Sequence, residues 1–191
     1  MGRNEESLWK SHKSWKYFLT GVWSRAMIFV TVGTHEQQFN RLVQYIDKLK
    51  GDNIIEDEVI MQTGFSTYKP QYCDWHKILP YHEMIKKIEN ARIVVTHGGP
   101  SSFILPLQMG KVPVVVPRQK QFGEHINNHQ VDFVRKISKS QSTIIVVENI
   151  SELGYILSKY EELVLEKSIG MNSNNEKFNL EFERLIENMF R

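Results

Sequence analysis

The chain has 191 residues, which is enough for one α/β domain with a sizeable core, so one domain is the working count. Its 24 Lys and Arg are nearly balanced by 22 Asp and Glu, and the net charge of +2 argues against a nucleic acid partner. The single cysteine, Cys73, excludes an internal disulfide framework and fits a reducing cytosol.

Residues 1–26 differ in composition from the rest of the chain, although neither they nor any later run has the roughly 20 apolar residues of a bilayer span. They lack the pattern of a signal peptide, which predicts a soluble or peripheral protein. Their aromatic and basic side chains are interleaved: Trp9, Lys10, Lys13, Trp15, Lys16, Tyr17, Phe18, Trp23 and Arg25. Such a segment suits a membrane interface or a partner groove. Met27 directly precedes a strand-like run, which is where a native start would be expected. A leader or tag before Met27 is therefore the other interpretation.

Residues 27–191 form the predicted functional domain, in which apolar runs alternate with helical periodicities. The predicted strands are residues 27–32, 59–62, 77–79, 92–96, 112–116 and 143–147. The predicted helices lie around residues 39–49, 84–88, 100–109 and 126–137, with a helical stretch after 151 and an amphipathic helix at 178–189. This alternation is typical of a parallel sheet covered on both faces, and six strands indicate a Rossmann-like α/β domain.

Two predicted strand ends carry small and polar residues. The first strand is followed by Gly33-Thr34-His35, and the fourth by His97-Gly98-Gly99-Pro100-Ser101-Ser102. Open parallel sheets bind ligands at this edge, and free amides at a helix N-terminus favour a phosphate. Glycines also serve tight turns, and for Gly33 alone that interpretation is equally favoured. The second segment adds an imidazole and two hydroxyls, which indicates a diphosphate site.

A polar loop, residues 117–130, follows the predicted fifth strand. Its carboxylate and amides are candidates for binding sugar hydroxyls, and Arg118 and Lys120 for meeting phosphate charge, although a solvated surface loop is the alternative. His125 and His129 are four residues apart, but no third ligand is apparent, so no metal site is predicted. The acidic run at 56–58 is assigned to a solvated turn.

Two segments resemble glycosyltransferase family 28: MIFVTVGTHEQQFNRLV from residue 27 and VVTHGGPSSFILPLQMGKVPVVVPRQKQFGEHINNHQ from residue 94. More narrowly, they resemble the donor-binding subunits of bacterial capsule and exopolysaccharide β-1,4-galactosyltransferases. The small catalytic subunit of the eukaryotic dolichol-linked GlcNAc transferase is similar. The resemblance implies a GT-B fold divided between two chains, of which this one is the C-terminal-type domain.

The resemblance also implies residue roles. The diphosphate would be held by Gly33, Thr34, His97, Gly98, Gly99, Ser101 and Ser102, with His97 and the helix amides neutralising the departing UDP. The loop with Leu79 and Tyr81 would lie beside uracil, and the sugar would meet Glu124 and His125. Apart from the resemblance, the polar loop contributes Arg118, Asn128 and Gln130 to the predicted substrate-binding set. Glu124 and His35 are the catalytic candidates, His35 as a reserve general base. Many relatives have a ribose-binding glutamate where this chain has Leu105, so Gln108 or a backbone group is the substitute.

The expected activity is an inverting transfer of a sugar, galactose above others, from UDP to a lipid-pyrophosphate-linked sugar, without a cofactor or metal. The expected partner is a membrane-anchored subunit that binds the acceptor and supplies the general base, which would place the chain peripherally at the inner face of the plasma membrane. Two alternatives stay open. One is a non-catalytic enhancer module of a complete transferase, and the other is a UDP-sugar epimerase.

Overall fold

Unbroken apolar runs form the centre of a six-stranded sheet in the computed structural model, which describes residues 26–140 and 143–171. The strands are β1 (Met27–Thr31), β2 (Glu58–Gln62), β3 (Asp74–His76), β4 (Ile93–His97), β5 (Val114–Val116) and β6 (Ile145–Val146). Their order is β3-β2-β1-β4-β5-β6, and every neighbouring pair is parallel. β1, β4 and β5 lie inside the sheet and are covered on both faces, which explains why they lack the alternation of a half-exposed strand. The predicted α/β class and Rossmann-like sheet are confirmed.

Helices pack on both faces of this sheet. They are α1 (Asn40–Gly51), α2 (Tyr81–Asn90), α3 (Pro100–Gln108), α4 (His129–Ser140), α5 (Leu153–Ser158) and α6 (Tyr160–Met171), with short 3₁₀ turns at Lys120–Phe122 and Ile150–Glu152. Successive strand residues point to opposite faces, so Ile28 and Val30 join the core under α1 and α5, while Phe29 packs with Ile88 of α2. Pro100 stands at the first turn of α3, where its missing N–H costs nothing.

The observed third strand differs from the predicted one. It is Asp74–His76 rather than residues 77–79, and all three of its side chains are exposed at the sheet edge, so no apolar pattern marks it. The apolar residue that indicated a strand, Leu79, packs into the core beyond β3. Its N–H donates to Oε1 of Gln62 (3.0 Å) instead of joining a strand ladder.

Other elements differ at their ends only. β5 and β6 are shorter than predicted, and the helix expected from residue 126 begins at His129. Residues 1–25 and the predicted helix at 178–189 lie outside the described residues.

The loop between β2 and β3 is fastened to α1 by side chains of the helix. Asn40 accepts from the N–H groups of Thr67 (2.9 Å) and Tyr68 (3.1 Å), and buried Asp47 accepts from the Tyr68 hydroxyl (2.7 Å) and two further N–H groups. Burial by itself raises the pKa of Asp47, but these hydrogen bonds outweigh it and lower the pKa. The first turn of α1, which leads out of the β1 loop, is therefore held in place from the neighbouring loop.

The last described helices pack against the residues that precede β2, β4 and β5, at the amino ends of these strands. The Tyr160 hydroxyl donates to the Val112 carbonyl (2.8 Å), and Arg92 bridges Asp57 (2.6 Å) and Glu161 (3.2 Å). Within residues 26–140 and 143–171, no helix combines the length and apolar character needed to cross a membrane.

Candidate functional site

The chain order along the sheet reverses between β1 and β4. From β1 the chain passes outward to β2 and β3, and then returns to the other side of β1 for β4, β5 and β6. Ligands of doubly wound sheets bind in the crevice that such a reversal opens at the carboxyl ends of the strands. The loops that follow β1, β4 and β5 meet there, and they contain most of the site residues predicted from the sequence.

His97, the last residue of β4, is packed between two glycines. A Cβ atom on Gly33 would lie 2.4 Å from His97 Nε2, and a Cβ on Gly99 would lie 2.3 Å from His97 Cε1. Both distances are far below van der Waals contact, so no larger residue fits at either position while the ring stays in place. Gly33 has a φ of +74°, which glycine tolerates best. These glycines therefore serve the close approach of the β1 and β4 loops.

The hydrogen bonds of His97 fix its tautomer. Nδ1 accepts from the Gly99 N–H (2.9 Å), so the proton of the neutral ring is on Nε2, which donates to Ser102 Oγ (2.7 Å). Burial, followed by the nearby charge of Arg118, lowers the pKa of His97 to about 4. The expectation that His97 neutralises phosphate charge is therefore revised, because the ring is neutral and 9% exposed.

The pKa of His97 makes folding stability depend on pH. Its folded pKa of about 4 lies below the ordinary 6.5, so the unfolded chain binds more protons between these values and stability falls as pH drops through this window. We expect wild type to lose about 2–3 kcal/mol more than His97→Gln between pH 7 and pH 4.5. Urea unfolding of both proteins at several pH values measures this, and parallel pH profiles would contradict it.

The N-terminus of α3 remains the best-placed phosphate site. Gly99 is its N-cap residue and makes no side-chain cap, and Ser101 is exposed in the first turn. Ser102 Oγ accepts from His97, which leaves the hydroxyl proton of Ser102 available to another acceptor. The predicted roles of Ser101 and Ser102 thus fit the geometry, with His97 orienting Ser102 from behind.

Arg118 is buried instead of facing the ligand. Its guanidinium donates to the carbonyls of Val32 (3.0 Å), Gln37 (3.0 Å) and Gln38 (2.7 Å), and lies over the Phe39 ring (4.8 Å). The side chain is 0% exposed, and desolvation lowers its pKa to about 10. The prediction that Arg118 contacts phosphate is corrected: it ties the β5 loop to the β1 loop.

Glu124 is the acidic member of the same buried group. Its two carboxylate oxygens accept from Nε (2.8 Å) and Nη2 (2.9 Å) of Arg41, and one also accepts from the Gln119 N–H (3.0 Å). With 1% of its surface exposed, this carboxylate has no free face for sugar hydroxyls. The expected role of Glu124 in sugar contact is therefore revised to one of charge compensation. We call Arg41, Arg118 and Glu124 the clasp.

Of the remaining predicted residues in the loop after β5, Gln130 supports the loop structure and Asn128 is exposed to solvent. Oε1 of the Gln130 side chain accepts from the Arg118 N–H (3.1 Å), and Cβ of Gln130 lies beside Gly98, so Gln130 and Gly98 join the β4 and β5 loops. Asn128 accepts from the Lys120 N–H (2.9 Å) and is exposed, as is Thr34 in the β1 loop. Asn128 and Thr34 keep surface that a ligand can contact.

His35 and His125 meet across the opening, with ring centroids 5.6 Å apart. Nδ1 of His35 accepts from the Gln37 N–H (3.2 Å), and Nδ1 of His125 accepts from the Asn127 N–H (3.4 Å). A neutral imidazole that accepts at Nδ1 carries its proton at Nε2. The nitrogen of His35 that is left for a ligand is then a donor, an arrangement that favours binding over the predicted role as a reserve general base.

Hydrogen bonds through the buried side chain of Gln62 connect the loop predicted to lie beside uracil with the loop after β1. Buried Gln62 accepts from the Leu79 N–H (3.0 Å) and donates to Thr31 Oγ1 (3.2 Å), which accepts from the Gly33 N–H (3.2 Å). The Leu79 side chain is in the core, so this residue can offer a ligand only its backbone, while Tyr81 is 70% exposed.

Sequence reasoning missed the supporting residues Arg41 and Gln62. Arg41 lies in an amphipathic helix and Gln62 ends an apolar strand, and neither pattern indicates a functional residue. No local pattern marks them, because their partners are far away along the chain.

The described residues offer no constellation for a metal. Within 26–140 and 143–171, no group of three or more His, Cys, Asp or Glu side chains is placed to hold an ion. His125 precedes α4 and His129 begins it, so the pair does not share one helix face as the spacing had allowed.

Comparison with protein families identifies the domain. Residues 27–189 match the glycosyltransferase family 28 C-terminal domain. The chain belongs to this family. It is also 30% identical over 121 residues to the human UDP-N-acetylglucosamine transferase subunit ALG13, an alignment that spans 59% of this chain and 10% of the human protein.

Two solved glycosyltransferases share the fold at 15% identity. The glycotransferase of kitacinnamycin superposes with a TM-score of 0.50 over 92% of this chain and 40% of its own. The glycosyltransferase SnogD from Streptomyces nogalater gives 0.48 over 69% and 33%. Together with the family match, the kitacinnamycin superposition shows the α/β fold of GT-B enzymes. The chain spans less than half the length of each relative named here.

Proposed function

We propose that the chain is the donor-binding subunit of an inverting glycosyltransferase that uses a UDP-sugar. The observation that carries this is the N-terminus of α3, which has no side-chain cap, beside the oriented Ser102 hydroxyl, at the crevice between the β1 and β4 loops. The positive end of a helix and a hydroxyl donor at that place favour a diphosphate. The human relative is named as a subunit of a UDP-N-acetylglucosamine transferase, which supports both the nucleotide and the existence of a second subunit.

The proposed reaction is a single displacement at the anomeric carbon. A hydroxyl of a lipid-pyrophosphate-linked sugar attacks, the bond to UDP breaks, and charge develops on the leaving diphosphate. Donors that are already in position stabilise that charge without reorganising, and the N-terminus of α3 with Ser102 supplies them here. The imidazoles His35, His97 and His125 all accept at Nδ1, so we assign the general base to the membrane-anchored partner that binds the acceptor.

The finer assignments of the proposal are galactose as the sugar, capsule or exopolysaccharide synthesis as the setting, and the inner face of the plasma membrane as the location. Their support is the resemblance of residues 27–43 and 94–130 to the capsule galactosyltransferase subunits. The human relative is named for N-acetylglucosamine, so the transferred sugar is decided by assay.

The test begins with binding. We expect the purified chain to bind UDP by calorimetry with and without a chelator, and to transfer sugar poorly alone because the acceptor half of the cleft comes from the partner. Adding the partner and a short lipid-pyrophosphate-sugar acceptor should restore transfer from one of UDP-galactose, UDP-glucose or UDP-N-acetylglucosamine. UDP binding abolished by the chelator, or rapid turnover without the partner, would contradict the proposal. UDP binding without transfer in any combination would favour the enhancer module.

A further inference from the structure

His35 and His125 come from different loops, yet they share one local arrangement. In each, Nδ1 accepts from the N–H of the residue two positions later, and His97 repeats the pattern with Gly99. Each turn therefore fixes the ring with Nε2–H as the outward donor. His97 uses this donor on Ser102, whereas neither Nε2 of the other two has a hydrogen-bond partner among the described residues.

The Nε2–H donors of His35 and His125 belong to neighbouring rings. The ring centroids of His35 and His125 are 5.6 Å apart, His35 is exposed, and His125 is half-buried. Both rings interact electrostatically with His97, which orients the Ser102 hydroxyl, so the three histidines belong to one site. The neighbour of His125 in the chain is Glu124, and in the clasp this one carboxylate faces two arginines, so the clasp has a net positive charge.

The geometry points to a paired donor site in which His35 and His125 hold an oxygen of the nucleotide diphosphate through Nε2–H, and neither acts as a base. Donors alone, next to a clasp of net positive charge, select an acceptor that carries negative charge. This inference rests on the proposed function, since it assigns two ligands of the same diphosphate. It places the residues in substrate binding and leaving-group stabilisation, where the sequence had offered His35 as a base and His125 as a sugar contact.

The tautomers are tested directly on the wild-type chain with ¹⁵N-labelled histidine. Long-range ¹H–¹⁵N correlation spectra distinguish a protonated Nε2 from a protonated Nδ1. We expect Nε2–H forms for His35 and His125 at neutral pH, and a change in both Nε2 signals when UDP is added. An Nδ1–H tautomer in either ring, or signals that do not respond to bound UDP, would overturn the inference.

Substitutions test the donor role. We expect His35→Leu and His125→Leu each to weaken UDP about tenfold or more, the size of a lost hydrogen bond to a charged group, while uridine binds as before. His82→Leu, at an exposed histidine of α2 whose side chain contacts Glu83, is the matched control and should bind UDP normally. His35→Gln, whose amide N–H replaces Nε2–H, should recover most of the affinity and should transfer sugar when the partner is present.

The outcomes separate this inference from the proposed function. Wild type that fails to bind UDP would overturn the proposed function. Wild type that binds UDP while both Leu variants match it would overturn only the paired donor site. A loss confined to UDP-sugar would move the two donors to the sugar, and a His35→Gln variant that binds UDP but has lost transfer would restore His35 as a base. Thermal unfolding midpoints of all variants show whether each is folded.

Discussion

Glu124→Gln is expected to lower the free energy of unfolding by about 3–5 kcal/mol, because it leaves the buried charge of Arg118 and the nearly buried charge of Arg41 without compensation. Gln keeps the shape of the side chain and removes only the charge, so the loss measures the clasp rather than a cavity. Urea unfolding at pH 7 gives the value.

The Arg135–Glu148 pair provides a matched control at the surface. It is also bidentate, with both distances 2.6 Å, but its side chains are 54% and 35% exposed. Because water and ions screen such a pair, Glu148→Gln should lower the free energy of unfolding far less than Glu124→Gln does. The stabilising role of the clasp would be contradicted if Glu124→Gln lowered the free energy of unfolding no more than Glu148→Gln and altered only sugar selectivity. Glu124 would then contact the sugar, as the sequence predicts.

Gly33→Ala is expected to destabilise the chain by about 2–5 kcal/mol and to weaken UDP binding. Part of this, about 1–2 kcal/mol, is the cost of a left-handed backbone at φ +74° for a residue with a Cβ. The remainder arises because the new Cβ would lie 2.4 Å from His97 Nε2, so the ring must move away from Ser102.

Gly110→Ala separates these two causes. Gly110 has nearly the same φ, +71°, but a Cβ there would meet nothing within 4 Å. Only the backbone cost of about 1–2 kcal/mol is expected, with UDP affinity unchanged. Equal losses of stability and affinity in the two variants would show that the approach of Gly33 to His97 has no role of its own.

Much of the fold was predictable because the information is local. A buried parallel strand such as β4 reads as an apolar run, and Pro100 after two glycines marks the start of α3. The third strand was predicted at the wrong position because Asp74, Trp75 and His76 are all exposed at the sheet edge. Without buried side chains, the strand shows no pattern of apolar residues. The meeting of the loops after β1 and β4 was also predictable, since the carboxyl ends of adjacent parallel strands lie at the same edge of a sheet.

The sequence by itself determined the α/β class, the polar segments around Gly33 and Gly98 at the ligand-binding edge of the sheet, and, through its resemblance, the glycosyltransferase family to which the chain belongs. Only the tertiary structure decided what the charged and aromatic residues of those segments do. Arg118 and Glu124 look like ligand contacts in a polar loop, but Arg41, 83 positions away from Glu124, draws that carboxylate inward. Burial and hydrogen-bond partners set the charge and tautomer of a side chain, and both depend on residues that meet only when the sheet forms.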